Sequence, residues 1–154
     1  SPNNLEEVNF EGIKTEIRSY NKRASIYFTS IKYGALKSVY GVTEPSHKLM
    51  AFSGIAKPQL FINHLKSNYD LVKHIDFKDH HSYSEKDLKE IVGKLTPEMS
   101  LVTTEKDMVK LIKPEFEHVM KGLSIFYLPI EAYFLKDGKR FDDQIQNSIR
   151  EYSY

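Results

Sequence analysis

Asp79-His80-His81 sets a carboxylate beside two imidazoles, the side chains that move protons near neutral pH. A neighbouring carboxylate can fix one ring nitrogen while the other serves as a general base or binds a metal. The same residues also suit a polar loop with solvent-exposed histidines. No third ligand stands at a metal-site spacing, so no metal is expected here. Thr103-Thr104-Glu105-Lys106-Asp107 joins the end of an apolar run to the first turn of a helix. Free backbone N–H groups and the helix dipole attract an anion there, and Lys106 reinforces the attraction. Plain capping of the helix by Thr104 accounts for the same letters. Phe52-Ser53-Gly54-Ile55-Ala56-Lys57-Pro58 puts a glycine where a strand turns into a helix, the kind of crevice in which α/β sheets bind ligands. A tight turn that needs Gly and a Pro-started helix is the alternative, and Lys57 alone in the segment has ligand chemistry.

These segments need a scaffold. Ser1 to Tyr20 reads as a lead-in helix or linker, with Ile13 and Ile17 on one short face. Ala24 to Ile31 alternates and is rich in β-branched and aromatic residues, which predicts a strand, and Tyr33 to Tyr40 is a candidate for a second. Leu49 to Ser53 reads as a buried strand, followed by a helix that starts near Pro58 and faces the core through Leu60, Phe61 and Leu65. A second unit runs from Leu71 through Phe77 into the histidine loop, then a helix carrying Leu88, Ile91, Val92 and Leu95. Ser84 and Asp87 form its capping box. A third has Ser100 to Thr103 as strand, Thr104 as N-cap, and Met108, Leu111 and Ile112 on the helix face, with Pro114 ending it. Leu123 to Leu128 is one more strand. Pro129 interrupts, Glu131 to Leu135 resumes, Asp137-Gly138 turns, and a last helix carries Ile145, Ile149 and Tyr152.

Repeated β-α units call for crossover connections and so for a parallel sheet. The expected fold is α/β: a three-layer domain with a mainly parallel sheet flanked by helices, preceded by a small β element. The expected division is a lead-in helix and β linker over residues 1–48 and an α/β domain over residues 49–154.

The composition agrees with a globular domain. Of 154 residues, 40% are hydrophobic and 28% charged, far from the disordered extremes. Twenty-two Lys and Arg against 21 Asp and Glu leave a net charge of +1, so no global field argues for nucleic acid. The absence of Cys excludes disulfides and thiolate metal sites and fits the cytoplasm. No apolar run is long enough to span a bilayer, and Ser1 to Phe10 has no signal-peptide pattern. The 10 Tyr and 9 Phe fall mostly on faces that need a core. Lys136, Lys139 and Arg140 suit a lipid phosphate or, equally, an exposed hairpin turn. No G-x-x-x-x-G-K-[ST] loop occurs, so the usual cradle for nucleotide phosphates is missing from the sequence.

In order and spacing these segments resemble the C-terminal half of the tetraacyldisaccharide 4'-kinases. Leu49 to Pro58 looks like that family's strand, Gly-Ile-Ala/Gly turn and helix, with Lys57 where Asn or Ser is more usual. Phe77-Lys78-Asp79-His80-His81-Ser82-Tyr83 resembles its F-x-D-H-H-x-[YF] loop, and Thr103 to Leu111 its T-T-E-K-D-x-V-K-L segment. Leu128-Pro129-Ile130 also fits, and Tyr27 to Ser30 followed by Tyr33, Ala35 and Leu36 is similar to the Bacteroidetes branch.

The resemblance implies a kinase that moves the γ-phosphate of Mg-ATP to the 4'-hydroxyl of a tetraacylated disaccharide 1-phosphate, giving lipid IVA in lipid A biosynthesis. It implies a cytoplasmic protein peripheral at the inner membrane, in which His80 acts with a carboxylate of the N-terminal half on the attacking hydroxyl; Asp79 beside it is the expected orienting carboxylate. Gly54, Lys57, Thr104 and Lys106 are then expected near substrate or phosphate. ATP and Mg would be bound mainly by an N-terminal half carrying the phosphate loop, which this chain is expected to lack. The chain alone is accordingly expected to hold no cofactor and to be inactive. The competing expectation is a free-standing α/β ligand- or protein-binding module.

Overall fold

The computed structural model describes residues 9–151 apart from Ala24, Thr43 and Asp137. Its centre is a five-stranded sheet of β2 (Lys37–Ser38), β3 (Lys48–Ser53), β4 (Asp70–Asp76), β5 (Met99–Thr104) and β6 (Ile125–Leu128), in the order β2-β6-β5-β3-β4. β4, β3, β5 and β6 run parallel, and only the short edge strand β2 is antiparallel. The mainly parallel α/β sheet is therefore as expected.

Alternation along the strands builds the three layers, since successive side chains point to opposite faces. Leu49 and Ala51 of β3, Val102 of β5 and Phe126 of β6 turn to one face, where they pack with Phe61 and Leu65 of α2 (Gln59–Asn68). Met50, Phe52, Leu101 and Ile125 turn to the other, against α3 (Glu85–Val92), α4 (Glu105–Leu111) and α5 (Pro114–Met120). Every residue from Leu49 to Ser53 and from Ser100 to Thr104 is buried, because central parallel strands are covered on both sides. Burying each large apolar side chain in these layers contributes about 1.5 to 3 kcal/mol.

The remaining elements are α1 (Phe10–Tyr20), β1 (Phe28–Tyr33), β7 (Ile130–Lys136) and α6 (Gly138–Glu151), with β1 and β7 paired in a two-stranded sheet. The chain divides into two compact units, Ile31–Glu131 and the pair of segments Ser1–Ser30 and Ala132–Tyr154. No helix among the described residues is long and apolar enough to cross a membrane.

Several expectations shift. The strand expected over Ala24 to Ile31 begins only at Phe28, and the one expected over Tyr33 to Tyr40 shrinks to two residues. Leu60 and Ile112 are exposed rather than on the buried faces of their helices. Pro114 does not merely end a helix: it opens α5, where a first-turn proline loses no hydrogen bond. In α6, Ile145 is largely exposed, while Tyr152, the Ile149 side chain and Asp137 lie outside the described residues.

Two histidines give the fold a pH dependence. Burial holds the pKa of His64 below its usual value, and burial, opposed by Asp76, does the same to His74, whose Nε2 lies 2.9 Å from Ser53 Oγ. Near pH 6.5 the unfolded chain takes up protons that the folded one resists, so stability is lost as pH falls through that region. Melting temperatures are expected to drop between about pH 7 and 5, with a shallower drop in a His64→Gln/His74→Gln variant.

Candidate functional site

The carboxyl ends of β3, β4 and β5 lie at one edge of the sheet, because the three strands are parallel neighbours. The loop after β4 is fastened to the end of β3 by backbone bonds: Phe77 N–H donates to Ser53 O at 2.8 Å and His80 N–H to Gly54 O at 3.2 Å. His80 N–H also lies 3.0 Å from Asp79 Oδ1. This fastening holds His80 at φ 59°, the left-handed region, which costs a non-glycine residue about 1 to 2 kcal/mol. Strain kept at a loop tip is a pointer to function.

The strained backbone turns the His80 ring outward, with 74% of its side chain exposed. Its Nε2 stands 3.5 Å from Asp79 Oδ2, and Lys106 Nζ reaches from α4 to 3.5 Å from Asp79 Oδ1. Asp79 thus sits between an imidazole and an ammonium group. Three of the six expected site residues, Asp79, His80 and Lys106, are brought together, and Gly54 joins them through its carbonyl.

Thr104 and Lys57 are placed differently. Thr104 is buried and caps α4: its Oγ1 accepts from Asp107 N–H at 3.1 Å and donates to Asp107 Oδ2 at 2.8 Å. Of the two readings of the Thr103–Asp107 segment, capping is the one the geometry displays. Lys57 is exposed in the turn before α2 and makes no ion pair among the described residues.

His81 is held where His80 is free. Its ring stacks on Phe77 at 4.6 Å, meets Tyr83 edge-on at 5.0 Å, and places Nε2 3.1 Å from Asp87 Oδ2. Asp87 also completes the α3 capping box with Ser84. The Ser84 backbone N–H, with smaller help from the Ser84 hydroxyl and His81, holds the Asp87 carboxyl below its ordinary pKa against an opposing desolvation.

Sequence reasoning passed over Asp107. It is fully buried, and its Oδ2 accepts from Gly54 N–H at 2.8 Å, tying the end of β3 to the start of α4. Lys110 Nζ lies 3.2 Å from Asp107 Oδ1 and donates to His81 O at 3.2 Å. Among the described residues no group stands in hydrogen-bonding geometry to the buried Tyr83 Oη, and burial first, then the nearby Asp107, pushes its pKa upward. The available signal was Thr104-x-x-Asp107 at capping-box spacing opposite a glycine turn.

Gly54 is needed for space as well. A Cβ there would lie 3.2 Å from His81 Cβ, 3.2 Å from Tyr83 Oη and 3.3 Å from Asp107 Oδ1. Gly54→Ala is expected to destabilise the fold by about 1 to 3 kcal/mol, the usual cost of overpacking, as read by urea denaturation.

Among the described residues no group of three His, Asp or Glu side chains could hold a metal ion. At this edge an exposed imidazole, a carboxylate and an ammonium group stand together.

A family model for tetraacyldisaccharide-1-P 4'-kinase matches residues 6–150. A tetraacyldisaccharide 4'-kinase from Flavobacterium psychrophilum is 32% identical over 154 residues, covering 96% of this chain and 43% of that protein. One from Cytophaga hutchinsonii is 28% identical over 144 residues, covering 89% and 41%. A crystal structure of LpxK from Aquifex aeolicus in complex with ATP covers 87% of this chain and 44% of its own, at 18% identity and a TM-score of 0.47. The chain thus spans less than half the length of these relatives. With a family match over nearly all of its residues, it belongs to the tetraacyldisaccharide-1-P 4'-kinase family.

Proposed function

We propose that the chain is the C-terminal part of a kinase that transfers the γ-phosphate of ATP to the 4'-hydroxyl of a tetraacyldisaccharide 1-phosphate, forming lipid IVA. The family match over residues 6–150 carries this reading. The exposed His80 beside Asp79 supplies the chemistry.

Phosphoryl transfer rests on positioning and charge stabilisation, and some group must orient or accept the proton of the attacking hydroxyl. His80 does this in the proposal. Asp79, facing Nε2, keeps a proton on that nitrogen and leaves Nδ1 to the hydroxyl. Lys106, 3.5 Å from Oδ1, helps to aim Asp79. The 3.5 Å separations are longer than closed hydrogen bonds, as is common before substrate binds.

The sequence has no phosphate loop to cradle ATP and its Mg. Both belong, in this proposal, to an N-terminal part with the phosphate loop, acting at the inner face of the cytoplasmic membrane through peripheral contact. Gly54 and Lys57 border the same sheet edge and are assigned to its substrate side.

The test compares this chain with the longer protein to which it is assigned, each given Mg-ATP and the disaccharide. Phosphorylated product is expected from the longer protein alone. Turnover by this chain at a comparable rate overturns the division of labour, and a longer protein that leaves the disaccharide unphosphorylated overturns the kinase reading.

A further inference from the structure

The unit containing α1 and α6 holds a second concentration of charge, unconnected with the histidine loop. Lys14 and Arg18 from α1, Lys22 and Arg23 from the turn after it, and Arg140 from the first turns of α6 line one cavity of about 200 Å³, together with Tyr27. Among the described residues no carboxylate lines it. The whole chain carries a net charge of only +1, so five cations around one small space are a local excess.

The excess is costly as it stands. Lys14 and Arg18 are one helical turn apart, and like charges at that spacing destabilise a helix by about 0.2 to 0.5 kcal/mol. Glu11 answers Lys14, at 3.4 Å, on the exposed side of α1. Among the described residues Arg18, Lys22, Arg23 and Arg140 have no ion pair. Lys14 is the most enclosed of the set, with 17% of its side chain exposed and its ammonium 5.9 Å from the centre of the Phe28 ring. The cations thus come from α1, the turn that follows it and α6 to line one recess.

We propose that this cavity binds the phosphate group of a ligand. A phosphate offers several acceptor oxygens in a tetrahedral array and so can meet donors arriving from several sides, where a carboxylate presents two oxygens in one plane. Three of the five cations are arginines, whose planar forks match phosphate oxygens in pairs. The recess admits one phosphate and the few atoms attached to it; it is neither a groove nor a stripe of the kind that follows a nucleic-acid backbone. The proposal stands apart from the kinase reading, since it uses none of the residues assigned to phosphoryl transfer.

The test uses the chain labelled with nitrogen-15, titrated with inorganic phosphate against chloride at constant ionic strength. Saturable shifts confined to the Arg18, Lys22, Arg23 and Arg140 signals are expected. Arg18→Gln/Arg140→Gln should weaken the binding at least about tenfold, the loss expected when one charge-assisted hydrogen bond is removed. Arg18→Lys/Arg140→Lys should fall between, and Lys94→Gln, an exposed change in the other unit, should leave binding unaltered. A second arm sediments the chain with phosphatidylcholine vesicles with and without phosphatidic acid. Arginine-dependent sedimentation with phosphatidic acid identifies the phosphate as a lipid headgroup; phosphate shifts without sedimentation identify a soluble phosphorylated ligand. No saturable response in either arm overturns the site, as does binding that Lys94→Gln weakens as much as the double arginine change.

Discussion

His80→Ala in the complete kinase is expected to lower kcat by about 10² to 10⁴ fold while leaving the melting temperature nearly unchanged. The two halves of that expectation come from the same observation. A side chain 74% exposed, with Asp79 as its ion-pair partner, contributes little to packing, so its removal should not unfold anything. In the proposed mechanism its worth lies in the proton of the attacking hydroxyl, with the strained φ of 59° as the local cost of presenting it. His81→Ala should show the reverse pattern. It loses the stack on Phe77, the edge contact with Tyr83 and the pair with Asp87, so it should lower stability by about 1 to 3 kcal/mol and reduce kcat far less. Rates measured at a temperature where each variant is fully folded separate the two effects. An His80→Ala enzyme that phosphorylates at the wild-type rate removes the assignment, whatever His81 does.

The division between the two histidines illustrates what could be read from the letters. Neighbours in sequence have opposite fates here because the chain reverses at His80, and a positive φ on a non-glycine residue leaves no compositional trace. The loop itself was legible, since Ser84 and Asp87 announce the helix that follows and the capping box is formed as expected. The strands β3 and β5 were legible for a stronger reason: a central parallel strand is covered on both faces, which calls for apolar runs such as Leu49–Phe52 and Leu101–Val102, while the buried Ser53, Ser100, Thr103 and Thr104 are each hydrogen-bonded.

Helix α5 was hidden by the same proline that seemed to end its predecessor. Phe116 and Met120, four residues apart and both buried, with acidic residues in the first turn, are the signal that competed with it. Leu60 and Ile112 were misplaced because apolar spacing alone cannot tell which edge of a helical stripe reaches the sheet. Lys106 was expected near phosphate, and its observed partner is Asp79, 27 residues earlier in the chain. Pairs of that separation are set by strand order, which local pattern does not contain.

Loss of Asp107 should harm the fold substantially. Asp107→Ala removes the acceptor of the Gly54 N–H and of the Thr104 hydroxyl at once, and both donors are buried. An orphaned buried donor costs about 1 to 3 kcal/mol, and the ion pair with Lys110 adds less, because the lysine is partly exposed and can turn to water. A total near 3 kcal/mol is expected, which for a chain of this length lowers the melting temperature by about 6 to 12 °C. Asp107→Asn keeps the volume and one oxygen for Gly54, so it should cost roughly half as much. Lys110→Gln leaves both donors satisfied and keeps an amide N–H that can reach Asp107 Oδ1, so it should cost clearly less than Asp107→Ala. The ordering matters more than the sizes, since it separates hydrogen-bond satisfaction from charge pairing as the reason for a buried acid. Because Gly54 both donates to Asp107 and accepts from His80, the milder Asp107→Asn should also lower turnover in the complete kinase, with the histidine itself intact. Denaturation of all three variants decides the matter. An Asp107→Ala protein within about 1 kcal/mol of the parent, or one no less stable than Lys110→Gln, would show that the tie between β3 and α4 is held by something else.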